Sequence, residues 1–358
     1  MYTRVLMVMV INRVIKMCLA ISWVLFSLWS CGGGADEKPE EILAFIRPEH
    51  FPEPTYTFQN NPITEEGFEL GKKLFFDPIL SRDKSVSCNN CHQQSRAFAD
   101  TPLHPTSVGV DNRFGIRNAP SIANMAFMKE FFWDGGVTHL DFVPINAIES
   151  DVEMDESLEN VVKKLNAIEA YRTKFKAAFG TEEVTAPYLL HALSQFTAMM
   201  ISADSKYDKY LQGQEELTVN ELRGLALFEQ KCSSCHAGVL FTDQSYRNNG
   251  ISSAFGDKGR GLITEDEADE GKFKVPSLRN AGITAPYMHN AKFSTLEEVL
   301  EHYATGMIDS PTLDPSFKNG EVVIGIPMTK EEQGDIIEFI HTLTDYTFIS
   351  DERFRNNE

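Results

Sequence analysis

The feature that most constrains this chain is a five-residue pattern that occurs twice: Cys88-Asn-Asn-Cys91-His92 and Cys232-Ser-Ser-Cys235-His236. Two thiols three residues apart can add to the two vinyl groups of one porphyrin. The adjacent histidine is then held beneath the iron as its proximal ligand. A dithiol redox pair has no need of the histidine, and a structural zinc site takes ligands at other spacings. The chain has six cysteines. Cys18 lies in a leader-like segment and Cys31 closes it, so the two pairs use every thiol that remains. Two covalently attached haem c groups are expected, one on each motif.

The leader is read from its own pattern. Residues 1–16 carry scattered positive charge, and the fourteen residues from Met17 to Ser30 are almost wholly apolar. That is short for a membrane span but fits the core of a signal peptide. The stretch ends in Leu28-Trp29-Ser30-Cys31-Gly32, which resembles a bacterial lipoprotein signal and implies a lipid anchor at Cys31. An uncleaved anchor helix is the alternative. Residues 1–31 are expected as a lipoprotein-type signal peptide and 32–59 as a tether, starting with a Gly-Gly-Gly run. Both readings export the chain, and the lipoprotein reading places it on the periplasmic side of a bacterial envelope membrane. With 52 acidic against 33 basic residues, the net charge of −19 argues against a nucleic-acid partner. It suits attraction of a basic one.

The motifs sit in an approximate duplication. Thr218-Val-Asn-Glu221 is a capping box, followed at helical spacing by Leu222, Leu225 and Phe228 before Cys232. Earlier, Thr64-Glu65-Glu66 opens a similar stretch with Phe68, Leu70, Leu74 and Phe75, which Asp77-Pro78 ends. The step from threonine to first cysteine is 24 residues in one copy and 14 in the other, so the first carries an extra loop over 77–87. Residues 155–212 keep the helical period through Leu158, Val161, Val162 and Leu165, then Leu189, Leu190, Leu193 and Phe196. A last helix is predicted from Thr329, with Glu332 in capping position. Strand signals are scarce. The expected fold class is mostly α, two cytochrome c-like helical domains over 60–212 and 213–358, each with one covalent haem.

Six further stretches resemble the bacterial dihaem cytochrome c peroxidase and MauG superfamily. They are Leu74-Phe-Phe-Asp-Pro78, Gly115-Ile-Arg-Asn-Ala-Pro120, Phe132-Trp-Asp-Gly135, Val152-Glu-Met154, Pro276-Ser-Leu-Arg-Asn280 and Thr284-Ala-Pro-Tyr-Met-His289. The resemblance implies that the N-terminal haem, on His92, meets hydrogen peroxide and that the C-terminal haem, on His236, relays electrons from a small carrier such as a monohaem cytochrome c. Some members cap the first iron at rest with a histidine after a Thr-Ser-Val-Gly stretch. Here that position is Val110, which implies an open first haem, with His104 as the rival ligand. The distal acid–base glutamate maps to Glu153, twenty residues after Trp133. Trp133 itself maps between the haems. Two positions depart from the pattern: Val143 replaces a glutamine and Ala147 a proline.

At the second haem, counting fourteen residues from His289 reaches Tyr303 as sixth ligand, the MauG-type choice, with Met307 and Met288 as rivals. His289 is expected beside the site rather than on the iron, and His302 to face elsewhere if Tyr303 is the ligand. The resemblance also implies a calcium ion on Asn118, Thr284 and Pro286, and dimerisation. Three functions follow in order: a dihaem peroxidase reducing peroxide to water, a MauG-like oxidase using a two-haem ferryl state to modify another protein, and a non-catalytic electron carrier. Val110 and Tyr303 favour the second reading. Gln230, where MauG has a surface tryptophan, counts against it.

Overall fold

Thr64 opens the first helix as its sequence predicts, its hydroxyl accepting from the Gly67 N–H at 3.0 Å. The computed structural model describes residues 43–319 and 323–356. The signal segment with Cys18 and Cys31, and the start of the tether, lie outside the described residues. In chain order the helices are α1 (Glu65–Phe76), α2 (Cys88–Cys91), α3 (Val143–Glu149), α4 (Leu158–Asn166), α5 (Glu169–Phe179), α6 (Ala186–Ala198), α7 (Lys206–Leu211), α8 (Val219–Lys231), α9 (Gly261–Thr264), α10 (Leu296–Glu301), α11 (Lys330–His341) and α12 (Tyr346–Ser350). The described sheet consists of two antiparallel pairs, β1 (Tyr246–Arg247) with β2 (Phe273–Lys274), and β3 (Lys318–Asn319) with β4 (Val323–Ile324).

The predicted caps form. Thr218 with Glu221 and Thr329 with Glu332 each make a reciprocal capping box, satisfying N–H groups that a helix start leaves open. Asp77 ends α1, donating its backbone N–H to the Lys73 carbonyl.

Two helix crossings carry the duplication. α1 packs on α6, and α8 on α11. At each crossing a glycine lets the backbones touch. A Cβ on Gly71 would stand 1.9 Å from the Ala192 carbonyl oxygen and 2.9 Å from the Phe196 Cβ; one on Gly224 would stand 1.9 Å from the Asp335 oxygen and 2.9 Å from the Phe339 Cβ. Gly71→Ala should therefore destabilise by ~1–3 kcal/mol through overpacking. Gly334→Ala, on α11 with nothing within 4 Å, should gain up to ~1 kcal/mol from helix propensity. Denaturant unfolding of the two variants checks both signs.

Each crossing is backed by an aromatic cluster. Phe68, Phe75, Phe98 and Phe196 fill the first, and Phe228, Phe241 and Phe339 the second. The chain then does something its helical periodicity does not announce. After α11 it returns to the first cluster, where Phe348 and Phe354 pack against Phe98 at 5.6 and 6.0 Å between ring centroids. Within the stretch expected as a tether, residues 43–59 lie against the body. Phe51 and Tyr56 are buried, and Phe45 packs at a tilt against Phe58 and Phe127. Their four aromatic rings explain it, since each buries far more apolar surface than a flexible linker carries.

Candidate haem sites and the bridge between them

The two CxxCH motifs form matching sites. α2 is a single turn, and its inner Asn90 closes a capping box with Ser87. His92 Nδ1 pairs with the Phe98 carbonyl at 2.8 Å, and His236 Nδ1 with the Phe241 carbonyl at 3.2 Å. Both acceptor residues are phenylalanines held left-handed, at φ +60 and +52, a conformation that costs a bulky residue energy and that the surrounding core must impose. Tying Nδ1 to a carbonyl sets the tautomer and leaves Nε2 free to bind a metal. Burial lowers the pKa of both imidazoles, which keeps them neutral and able to bind iron. Cys88, Cys91, Cys232 and Cys235 are half-buried and free of disulfides. Burial pushes Cys88, Cys91 and Cys232 up to about 12. Two thiols and an oriented neutral imidazole on each motif fit a haem c, and oppose a thiolate metal site.

Val110 and Glu153 meet at the first site. The Val110 N–H donates to the Glu153 carbonyl at 2.8 Å. Gly109 is glycine because a Cβ there would lie 2.2 Å from the Val152 oxygen and 2.5 Å from the Glu153 Cα. Val110 is fully buried in the core that Cys88 also packs against. The Glu153 carboxylate acts electrostatically on both Cys88 and Cys91. Burial alone raises its pKa to about 7.

The neighbouring acids behave differently. Asp155 pairs with Arg82 and Arg113, Glu156 with Lys164 at 2.7 Å, and Glu149 accepts from the Leu158 N–H. Glu153 thus stands apart from the acidic run it belongs to. Of the two departures, Ala147 accepts the Met154 N–H at 3.2 Å, and Val143 packs into the Phe51 and Phe127 cluster. His104 Nδ1 lies 2.7 Å from the Thr106 carbonyl and 3.8 Å from Asp100. Asp100, which the sequence reading passed over, is buried with Oδ2 unpartnered and acts on both Cys91 and His92.

At the second site, Tyr303 lies on a π-helical turn, His302–Gly306, that follows α10. Burial raises its pKa, and Cys232 and Cys235 are near enough to add to the effect. Asn249, missed in the sequence, donates towards the Tyr303 hydroxyl at 3.3 Å and the Met288 sulfur at 3.4 Å. It therefore gathers two of the three candidate ligands. Met307 packs with Leu313 and Phe317 in a cluster that Tyr303 also borders. His302 Nε2 is bound to the Asn249 carbonyl at 2.9 Å. A cavity of about 340 Å³ opens beside Asn249 and His289.

Three of the quoted motifs converge. The Trp133 indole N–H donates to the Asn118 carbonyl at 2.9 Å. Asn118 donates through its backbone N–H to the His289 carbonyl and through its side-chain amide to the Pro286 carbonyl, both at 2.7 Å. His289 stacks on Phe273, 3.6 Å between centroids, and lies edge-on to Trp133 at 6.4 Å. Burial pushes its pKa down to about 4, so it is neutral. Arg117 clamps the junction, binding Asp257 at 2.6 and 2.8 Å and Asp134 at 2.6 Å. Asn118 and Pro286 come together, with Thr284 two residues away. Among the described residues no group of three or more histidine, cysteine, aspartate or glutamate side chains could hold a metal ion. An ion at this junction would depend on amide and carbonyl oxygen.

With two matched CxxCH sites and a half-buried carboxyl beside the first, the chain belongs to the dihaem cytochrome c peroxidase and MauG family. Residues 65–216 match the model of the di-haem cytochrome c peroxidase family. The chain is an oxidoreductase of the cytochrome-c peroxidase class, and haem is the cofactor of that family. It is 33% identical to the methylamine utilization protein MauG of Methylorubrum extorquens, over 93% of this chain and 96% of that protein. It is 32% identical to the cytochrome c551 peroxidase of Nitrosomonas europaea, over 92% of each. Among solved structures, a MauG-like protein associated with microbial copper homeostasis superposes with a TM-score of 0.79 at 33% identity, covering 88% of this chain and 99% of that one. No helix among the described residues is long and apolar enough to cross a membrane.

Proposed function

We propose that this protein reduces hydrogen peroxide to water at a haem held by Cys88, Cys91 and His92. Electrons come from a small carrier such as a monohaem cytochrome c, through a second haem held by Cys232, Cys235 and His236, with Tyr303 as its sixth ligand. The observation that carries this is Glu153: a half-buried carboxyl with a pKa near 7, beside the first thiol pair and backbone-paired to a residue that cannot bind iron. Haem, when bound, supplies the iron redox chemistry by which the O–O bond is cleaved.

The chain does the rest. Glu153 takes the peroxide proton on its carboxylate and returns it to the departing oxygen, so that water leaves rather than hydroxide. The Phe98 and Phe241 carbonyls hold each imidazole by Nδ1, fixing ring orientation and ligand basicity. Val110 helps keep the first pocket apolar, and burial there holds the Glu153 carboxyl near neutrality. Trp133 provides the aromatic step between the two halves, 60–212 and 213–358. Calcium on Asn118, Thr284 and Pro286 would fix their relative orientation. Metal analysis finding no calcium, with activity unchanged in EGTA, would remove it from the scheme. We place the chain on the periplasmic side of the envelope, anchored through Cys31 and able to dimerise.

Titrating the fully oxidised, haem-loaded protein with hydrogen peroxide, followed optically and by EPR, tests the reading. Rapid reaction of a high-spin haem without prior reduction is expected. A wholly low-spin protein that ignores peroxide until half reduced would hand the first iron to a ligand such as His104. A second reading, oxidation of a side chain on another protein in the MauG manner, is favoured by the joint presence of Val110 and Tyr303. It predicts that an oxidised state persists after peroxide when no carrier is added.

A further inference from the structure

We propose that Tyr246, with Glu130 as its proton acceptor, is a proton-coupled relay between the protein surface and Trp133; this rests on the peroxidase reading above. The β1–β2 pair ties the Tyr246 strand to the Trp133 turn through the backbone. Tyr246 of β1 lies opposite Lys274 of β2, and the Lys274 N–H donates to the Trp133 carbonyl at 2.7 Å. The phenol reaches back over the same turn. A Cβ on Gly135, two residues after Trp133, would stand 1.8 Å from the Tyr246 hydroxyl oxygen, and Gly135 has φ +73. Only glycine leaves room for that hydroxyl and takes that φ without strain.

The hydroxyl is not idle there. It donates to Glu130 Oε2 at 2.5 Å. The Arg260 guanidinium covers the ring at 4.2 Å and reaches Glu130 Oε1 at 3.4 Å. Tyr246 and Glu130 are both half-buried, so the pair stands at the rim with an edge open to solvent. Tyr56 and Tyr171 also bond carboxylates, Asp141 and Asp77, but both are buried in the cores and offer no exit.

Oxidation of a phenol is coupled to loss of its proton, and an aligned carboxylate within hydrogen-bond reach is the acceptor that step needs. One electron leaves Tyr246 for Trp133 and the haem that peroxide has oxidised, the O–H proton moves to Glu130 Oε2, and a neutral tyrosyl radical remains. A one-electron donor at the surface then reduces the radical, and the proton returns from Glu130. Each such cycle delivers one electron by a route parallel to the second haem; one hydrogen peroxide takes two electrons, with two protons drawn from solvent, in becoming two waters.

The experiment mixes the oxidised holoprotein with stoichiometric peroxide, without donor, and freezes it for EPR, with and without ring-deuterated tyrosine. A signal that narrows on deuteration is expected. Tyr246→Phe keeps the ring packing and should lose the signal while the optical change at the haems is retained. Tyr171→Phe should leave the signal intact. Glu130→Gln should delay its appearance by about 10²-fold and make its rate depend on pH. A signal undiminished in Tyr246→Phe, with the normal haem change, overturns the relay alone. A parent protein whose haems show no response to peroxide overturns the peroxidase reading and the relay with it.

Discussion

Glu153→Gln should slow the reaction of the oxidised, haem-loaded protein with hydrogen peroxide by about 10²–10⁴-fold, the span usual for loss of a positioned general acid–base group. The substitution keeps the shape and the backbone pairing to Val110, so resting haem spectra and unfolding should be little changed. The pH profile gives a sharper signature. Burial raises the Glu153 pKa to about 7, and the carboxylate is the form that accepts the peroxide proton. The parent rate should therefore climb as pH rises through about 7 and then level, while the glutamine variant stays flat. Stability runs the other way. A carboxyl raised from 4.5 to about 7 by folding binds more protons folded than unfolded between those values, so stability falls as pH rises across that window. The variant removes this slope. Rapid-mixing kinetics from pH 5 to 9 decides the matter: a slope that survives in Glu153→Gln assigns the proton to another group.

The sequence carried a good deal of this site because its chemistry lies in side chains at fixed spacing. Two thiols and a histidine must be adjacent to serve one porphyrin, and capping boxes announce helix starts by residue type. For those reasons His92, His236, Thr218 and Thr329 were legible. The distinction between Glu153 and its acidic neighbours was legible only through the family resemblance, not from the residues themselves. It depends on arginine and lysine partners brought from elsewhere, Arg82, Arg113 and Lys164, which quiet Asp155 and Glu156 and leave Glu153 bare.

Backbone hydrogen bonding is equally silent. The carbonyls of Phe98 and Phe241 orient the His92 and His236 imidazoles, yet any residue has a carbonyl, and only the repeated phenylalanine at similar distance hints at them. Asn249 lies more than fifty residues from Tyr303, and no local pattern links them. The return of Phe348 and Phe354 to the first core was hidden for a related reason. A short apolar tail has no period long enough to say which core it serves.

Val110→His should convert an open first haem into a closed one. The loop that holds this position is pinned on several sides. Val110 donates to the Glu153 carbonyl, Arg113 Nε returns to the Val110 carbonyl at 3.2 Å, and Asp111 and Asn112 follow with φ of +59 and +55. Arg82 ties Asp111 to Asp155, and Arg113 binds Asp155 as well. A side chain at 110 is thus delivered to the core that Cys88 packs against, with little freedom to swing away. Valine offers no lone pair there. Histidine does, and it would be buried beside a metal that satisfies it, which offsets the cost of burying a polar ring. If ligation holds about 99% of molecules closed, the peroxide reaction of the oxidised protein slows by about 10²-fold, in proportion to the open fraction. EPR should show a low-spin first haem in place of a high-spin one, and one-electron reduction should restore reactivity if the loop then releases. Val110→Ala, which adds no ligand, should react as the parent does. A high-spin, fully reactive Val110→His protein would mean that the loop does not face the first iron, and His104→Ala would then be the variant whose spectrum identifies what does.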